Sequence, residues 1–147
     1  MFLWFVGMSI KINDATPNRP EGHRVVDAPA VQVNFNKCVQ QLKNEKAWAT
    51  GDRNAITVFK TPGVTVVISA LHKGASISDL QVDGLLILQV MEGTISIAYD
   101  GSDAMLADKQ MLVLHTAPSS DITAIEDCII QLSYIKTILV PGEDSII

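Results

Sequence analysis

Two rhythms of apolar and polar residues divide the chain. Between Asn36 and Trp48, Val39, Leu42, Lys43, Lys46 and Ala47 fall at helical spacing, and Lys37, Gln40, Gln41, Asn44 and Glu45 occupy the faces between them. One apolar stripe recurring every three or four residues predicts a helix over 36–48. Asn36 offers an N-cap oxygen, Trp48 is placed to seal the helix against the body, and Gly51 ends it. After Gly51 the chain turns to short runs rich in Val, Ile, Leu and Thr: Ala55–Lys60, Val64–His72, Leu85–Met91, Thr94–Tyr99, Gln110–Thr116, Asp121–Ile125 and Cys128–Ile135. Turn signals such as Thr61-Pro62-Gly63, Lys73-Gly74, Asp83-Gly84, Glu92-Gly93, Asp100-Gly101 and Pro118-Ser119 separate them. Strands at this spacing without intervening helices predict an all-β fold, an antiparallel sandwich or barrel.

Leu85-Leu86-Ile87-Leu88 shows no alternation. A strand of that kind is expected to be buried on both sides, inside the barrel and against an outer cover. The cover is either the N-terminal segment or a second subunit, and an apolar outer face predicts a homodimer. Residues 13–30 carry Pro17, Pro20 and Pro29 among polar residues and read as an extended arm with little regular structure. The organisation expected is therefore an arm and helix over 1–50 packing on a barrel over 51–137, then a tail over 138–147. The tail holds Pro141-Gly142-Glu143-Asp144 and an apolar end, and covering an edge strand is one use for it.

The start, Met1 to Met8, is apolar but too short to span a membrane, which takes about 20 apolar residues. No basic stretch precedes it as in a secretory signal. Two readings stay open: translation from Met8, or an extra strand packed on the barrel or on a partner. No membrane association is expected.

Hydrophobic residues make up 48% of the 147 positions and charged residues 18%, enough for one compact domain with a real core. The net charge of −5, with no Lys/Arg stripe, argues against nucleic acid as a partner. Cys38 and Cys128 form no metal-binding cluster. They read as reduced, buried thiols of a cytoplasmic protein, and a single long-range disulfide is the other reading.

From Asp52 to Ile135 the chain resembles the cupin superfamily, in particular its small single-domain bacterial members with the RmlC-like jelly roll. The residues that carry the likeness are Asp52 to Lys60, Ala70-Leu71-His72-Lys73-Gly74-Ala75, and Gln89-Val90-Met91-Glu92-Gly93. The resemblance implies a cupin-type antiparallel β-barrel with one short N-terminal helix. The family's first motif is Gly, five residues, His-x-His, three or four residues, Glu, six residues, Gly. Gly74 and Gly93 have the spacing of its short form, and the ligand positions then fall on Leu80, Val82 and Leu86. The second motif is Gly, five residues, Pro-x-Gly, two residues, His, three residues, Asn. It aligns on Lys109, His115, Ala117, Ser120 and Ala124, with the ligand position at Ser120. A second register, on Pro118, puts that position at Thr123. Cupins hold iron, manganese or nickel through imidazole and carboxylate donors. Aliphatic groups at three of four positions offer none, so a degenerate metal site and no cofactor are expected.

His72 and His115 are the remaining polar candidates, both at strand ends near turns, with Ser120 or Asp79 in reach of a shared ligand site. The competing reading makes each a strand-end histidine bonded to a carbonyl. Arg53, between Asp52 and Asn54, is either a carboxylate clamp or a turn pinning the helix to the first strand. Glu92 reads as a turn residue, Asp79 and Asp83 as loop carboxylates, and Cys128, flanked by Ile129, as an unreactive thiol. The function expected is a non-catalytic, metal-free cupin barrel that binds a small organic molecule or serves as an interaction domain. The alternative is a metal-independent isomerase or epimerase with His72 or His115 as general base.

Overall fold

The structure is a computed structural model and describes residues 10–115 and 119–136. The apolar start, the motif positions Ala117 and Pro118, and the tail from 138 lie outside the described residues.

Nine strands form the two sheets of a jelly roll among the described residues. One sheet has five antiparallel strands in the order β3 (Arg53–Lys60), β4 (Val64–Leu71), β11 (Cys128–Lys136), β6 (Gly84–Glu92) and β9 (Met111–His115). The other has four, in the order β5 (Ser76–Leu80), β10 (Ser120–Ala124), β7 (Ile95–Tyr99) and β8 (Ser102–Leu106). The two inner faces enclose one apolar core. Leu86, Val90, Ile95, Ile97, Ile122 and Ile130 have no accessible surface there. β10 shows the two-residue period that makes this possible: Ser120, Ile122 and Ala124 point inward, and Asp121 and Thr123 point outward.

A second apolar layer lies outside the five-stranded sheet. Helix α1 (Phe35–Asn44) and the single turn α2 (Lys46–Thr50) set Leu42, Phe35, Val39 and Trp48 against Ile56, Val58, Ile68, Ala70 and Ile129. The predicted helix over 36–48 is thus interrupted. Glu45 leaves helical geometry (φ −79°, ψ 151°), and its side chain joins a polar network described below. The N-cap is Asn34, two residues before Asn36. The Asn34 Oδ1 atom accepts the Lys37 backbone N–H at 3.0 Å. Gly51 does follow α2, and its N–H donates to the Ala47 carbonyl.

The arm is more ordered than its prolines suggest. β1 (Lys11–Asn13) pairs with β2 (Arg24–Asp27), and Arg24 donates to the carbonyls of Thr57, at 2.7 Å, and Gly22. β5 and β8 also escape the hydrophobic pattern. Ser76, Ser78 and Asp103 occupy their outward positions and dilute the apolar signal below what a run of Val and Ile gives. Leu85–Leu88 does alternate in space: Leu86 and Leu88 are buried, while Leu85 and Ile87 are half-buried on the outer face. Cys38 belongs to the outer layer and Cys128 to the barrel core, both as free thiols, so the disulfide reading is set aside.

Candidate functional site

The motif spacing has a backbone counterpart. Gly74 (φ 87°) and Gly93 (φ 95°) both sit in left-handed turns, one before β5 and one after β6. At Gly93 a side chain is excluded outright, since a Cβ atom would lie 2.5 Å from the Asp127 carbonyl oxygen and 2.6 Å from the Cys128 Cβ. Lys109, where the second motif has its first glycine, also adopts positive φ, at 66°. Its N–H donates to the Val90 carbonyl at 2.7 Å and closes the turn before β9.

This frame brings the four ligand positions to one end of the barrel interior. Leu86 is fully buried and Val82 nearly so, and Leu80 packs against the same core. Ser120 is fully buried on β10, opposite Leu80 on one side and Tyr99 on the other. Thr123, the position required by the other register, faces outward and shares a hydrogen bond with the Ser76 hydroxyl at 3.2 Å. Of the two candidate positions, Ser120 points into the barrel and Thr123 does not. Two phenols that the motif comparison does not single out lie at the same end. Tyr134, on β11 opposite Leu86, and Tyr99 both pack against the barrel core, and burial raises the Tyr134 pKa.

The chemistry of this end is aliphatic and phenolic. Three alkyl groups and one hydroxyl do not fit a transition-metal ion, which takes imidazole, carboxylate or thiolate donors. Among the described residues no group of three or more His, Cys, Asp or Glu side chains converges on a point.

The two histidines are not brought together. Leu71, just before His72, pairs with Cys128, at the Glu92 end of the five-stranded sheet. His115 pairs with Leu85, at the other end of β6. Each lies outside the barrel. His115 is exposed on the face of β9 that carries Met111 and Val113, away from inward Leu112 and Leu114. Strand alternation decides this, because the odd positions of β9 face out. His72 sits under α2. Its ring stacks on Trp48 with centroids 3.4 Å apart, its Nε2 is 2.9 Å from the Trp48 carbonyl oxygen, and its Nδ1 is 3.8 Å from Asp127 Oδ1. This histidine fastens the helical turn to the barrel end. Asp79, expected in a loop, lies near the end of β5; it accepts from Ser119 Oγ at 2.7 Å and from Gln81, while its own N–H donates to Asp121. Arg53 pairs with its neighbour Asp52 at 2.9 Å on the surface, and that hydrogen-bonded partner lowers the Asp52 pKa.

The most developed polar constellation lies in the seam between arm, helix and β3. Arg19 donates to both carboxylate oxygens of Glu45, at 3.0 and 3.1 Å, to Asn54 Oδ1, and to the Ala55 carbonyl. Asn54 Nδ2 donates to the Leu42 carbonyl and to Glu45, and Gln41 donates to Glu45 as well. The Glu45 side chain keeps 9% of its surface and Arg19 20%. No sequence signal marks this set, since its members lie 26 and 35 residues apart.

Comparison with known proteins agrees with the frame. No family model matches the chain, and no curated protein matches it. Solved structures do. A conserved Streptococcus pyogenes protein of unknown function is 17% identical, with a TM-score of 0.62 over 76% of this chain and 93% of that one. A cupin superfamily protein from Desulfitobacterium hafniense is 13% identical, with a TM-score of 0.56 over 58% and 78% of the two chains. A cupin-2 domain-containing protein from Shewanella frigidimarina is 17% identical, with a TM-score of 0.55 over 71% and 94%. At these identities the likeness is one of fold.

Proposed function

Taking the cupin fold as the premise, we propose that this protein is a non-catalytic, metal-free barrel that acts as an interaction module through its outer surface. The observation that carries the reading is the set Leu80, Val82, Leu86 and Ser120, gathered at one end of the barrel without an imidazole or carboxylate among them. The interior favours a surface role over a ligand held in the barrel. Leu86, Ile97, Ile122 and Ile130 leave no water-sized space against them, so a small organic molecule reaching the centre of the barrel has to displace a packed core. The isomerase alternative needs a histidine facing a cavity with a carboxylate orienting it. His72 instead spends Nε2 on a backbone carbonyl, and His115 faces away from the barrel.

The test is metal content by mass spectrometry on untagged protein prepared without chelator. The expected result is less than about a tenth of an equivalent of any transition metal. Near-stoichiometric metal overturns the reading.

A further inference from the structure

We infer that the cleft between the arm and α1 binds an extended segment of another polypeptide, one that carries two acidic residues about four positions apart. The inference rests on the surface role proposed above and names the surface and its partner.

The cleft has a volume of about 750 Å³, and none of its lining residues belongs to a barrel strand. One wall is the arm, where Pro17 and Pro20 flank Asn18. The prolines restrict φ in this wall, and reciprocal backbone bonds of 3.1 and 2.9 Å close the turn from Thr16 to Arg19. The other wall is one face of α1, on which Lys37, Gln40, Gln41 and Asn44 recur at helical spacing. The seam network ties the walls together. Gln41 Nε2 donates to the Glu21 carbonyl at 3.3 Å and to Glu45, and Arg19 grips the same Glu45 carboxylate. A cleft already braced in this way spares its ligand the cost of ordering the site.

The side chains along the cleft choose the ligand. Those of Asn18, Gln40 and Asn44 have no hydrogen-bond partner among the described residues. A carboxamide both donates and accepts, as a peptide group does, and so suits an extended main chain. Lys37 stands at the start of α1 and Lys46 just beyond its end, and neither has an ion-pair partner in a chain of net charge −5. A ten-residue helix is about 15 Å long, which four to five extended residues span at about 3.3 Å each. Charge complementarity therefore sets one carboxylate of the ligand at each end. Glu21 lies opposite Gln41, midway along the helix wall, and its unpaired carboxylate disfavours a third acid in the middle.

The experiment is an NMR titration of the full chain, labelled with nitrogen-15, with the capped peptide Gly-Glu-Ser-Thr-Ser-Glu-Gly. Metal content is measured on the same sample. The side-chain amide signals of Asn18, Gln40 and Asn44 should shift, with a Kd below about 1 mM. Lys37→Glu combined with Lys46→Glu should weaken binding about 10-fold or more. Lys60→Glu combined with Lys136→Glu makes the same change of net charge elsewhere and should weaken it by less than about 2-fold. A peptide with its two Glu residues adjacent should bind about 5-fold more weakly or worse.

Absence of shifts up to about 5 mM peptide overturns the inference. Shifts confined to other surfaces do the same, as does an equal loss in the two double variants, which reports net charge alone. Glutarate binding as tightly as the peptide reveals an anion site only and also overturns it. Shifts of these amides with protein concentration in the absence of peptide give the cleft to a second copy and overturn it too. No binding by a metal-free protein sinks this inference alone, and binding by a protein that carries metal sinks the metal-free reading alone.

Discussion

The protein has two buried layers, and they handle polar groups in opposite ways. The barrel interior is lined by Leu86, Leu88, Val90, Ile95, Ile97, Ile122, Ile130 and Leu132, with Ser120 as a small hydroxyl among them. The layer between helix, arm and sheet is apolar at its centre but rimmed by buried or half-buried polar contacts: Arg19 with Glu45 and Asn54, and His72 with Trp48. In a metal-dependent cupin the interior is where polar donors gather. Here the largest bonded polar set lies outside the barrel, where it ties a non-barrel segment to the barrel. The inner layer gains stability from burial alone, which any well-fitting aliphatic set supplies. The outer layer gains specificity, since Arg19 meets Glu45 and Asn54 only when the arm crosses at one angle.

The sharpest way to break this contrast is to put charge into the inner layer. Leu86→Glu alone should destabilise the fold by about 4 kcal/mol or more at neutral pH, because a buried carboxylate without a partner must either desolvate or take up a proton. Urea denaturation measures this. The full restoration Leu80→His, Val82→His, Leu86→Glu and Ser120→His should instead bind a transition metal, with a melting temperature that rises on loading and falls with chelator. A restored set that binds no metal shows that these positions do not converge.

The outer layer should respond less. Arg19→Ala leaves Glu45 buried without its cation and should cost about 3 kcal/mol, whereas Arg53→Ala at the exposed pair with Asp52 should cost under about 1 kcal/mol. Equal costs for the two remove the distinction between seam and surface. His72→Ala loses one ring stack and one contact to the Trp48 carbonyl, and about 1 kcal/mol is expected, with a change in Trp48 fluorescence that a distant substitution does not give.

The smallest effect is a pH dependence. Burial, reinforced by Asp127 and Glu126, pushes the Cys128 thiol up to about 11, and burial also raises Cys38 and Tyr134. The folded state therefore favours the protonated forms. Their contribution is complete below the ordinary thiol pKa of about 9 and declines as pH rises through about 11. Stability measured at pH 8 and pH 10.5 should fall, and Cys128→Ala should flatten that slope. Cys128 should resist thiol reagents in the native state at pH 8, and rapid labelling would show that the strand is open there.

Several elements were legible because their signals are local. The runs Val64–Leu71 and Cys128–Ile135 are strands by composition, and the Gly74–Gly93 spacing located the turns around β5 and β6. β5 and β8 were not legible, because Ser and Asp on their outward faces hide a half-apolar pattern. His72 and His115 looked like a pair because both lie at strand ends. Their separation depends on register, which sets Leu71 opposite Cys128 at the Glu92 end of the five-stranded sheet and His115 opposite Leu85 at the other end.

By itself, the sequence determined that the chain forms a β-rich core with turns at fixed glycines. It also put no imidazole or carboxylate at Leu80, Val82, Leu86 and Ser120, the positions that the resemblance picks out, since side-chain chemistry and chain stiffness are properties of each residue and its neighbours. Only the tertiary structure decided which hydroxyl, Ser120 or Thr123, points inward. It alone showed that Arg19 and Glu45 meet across the seam and that His72 and His115 lie at opposite ends of the larger sheet. Those outcomes depend on how distant strands register and which way each pleat faces, and a shift of one residue in the pairing of β10 turns Ser120 outward and Thr123 inward.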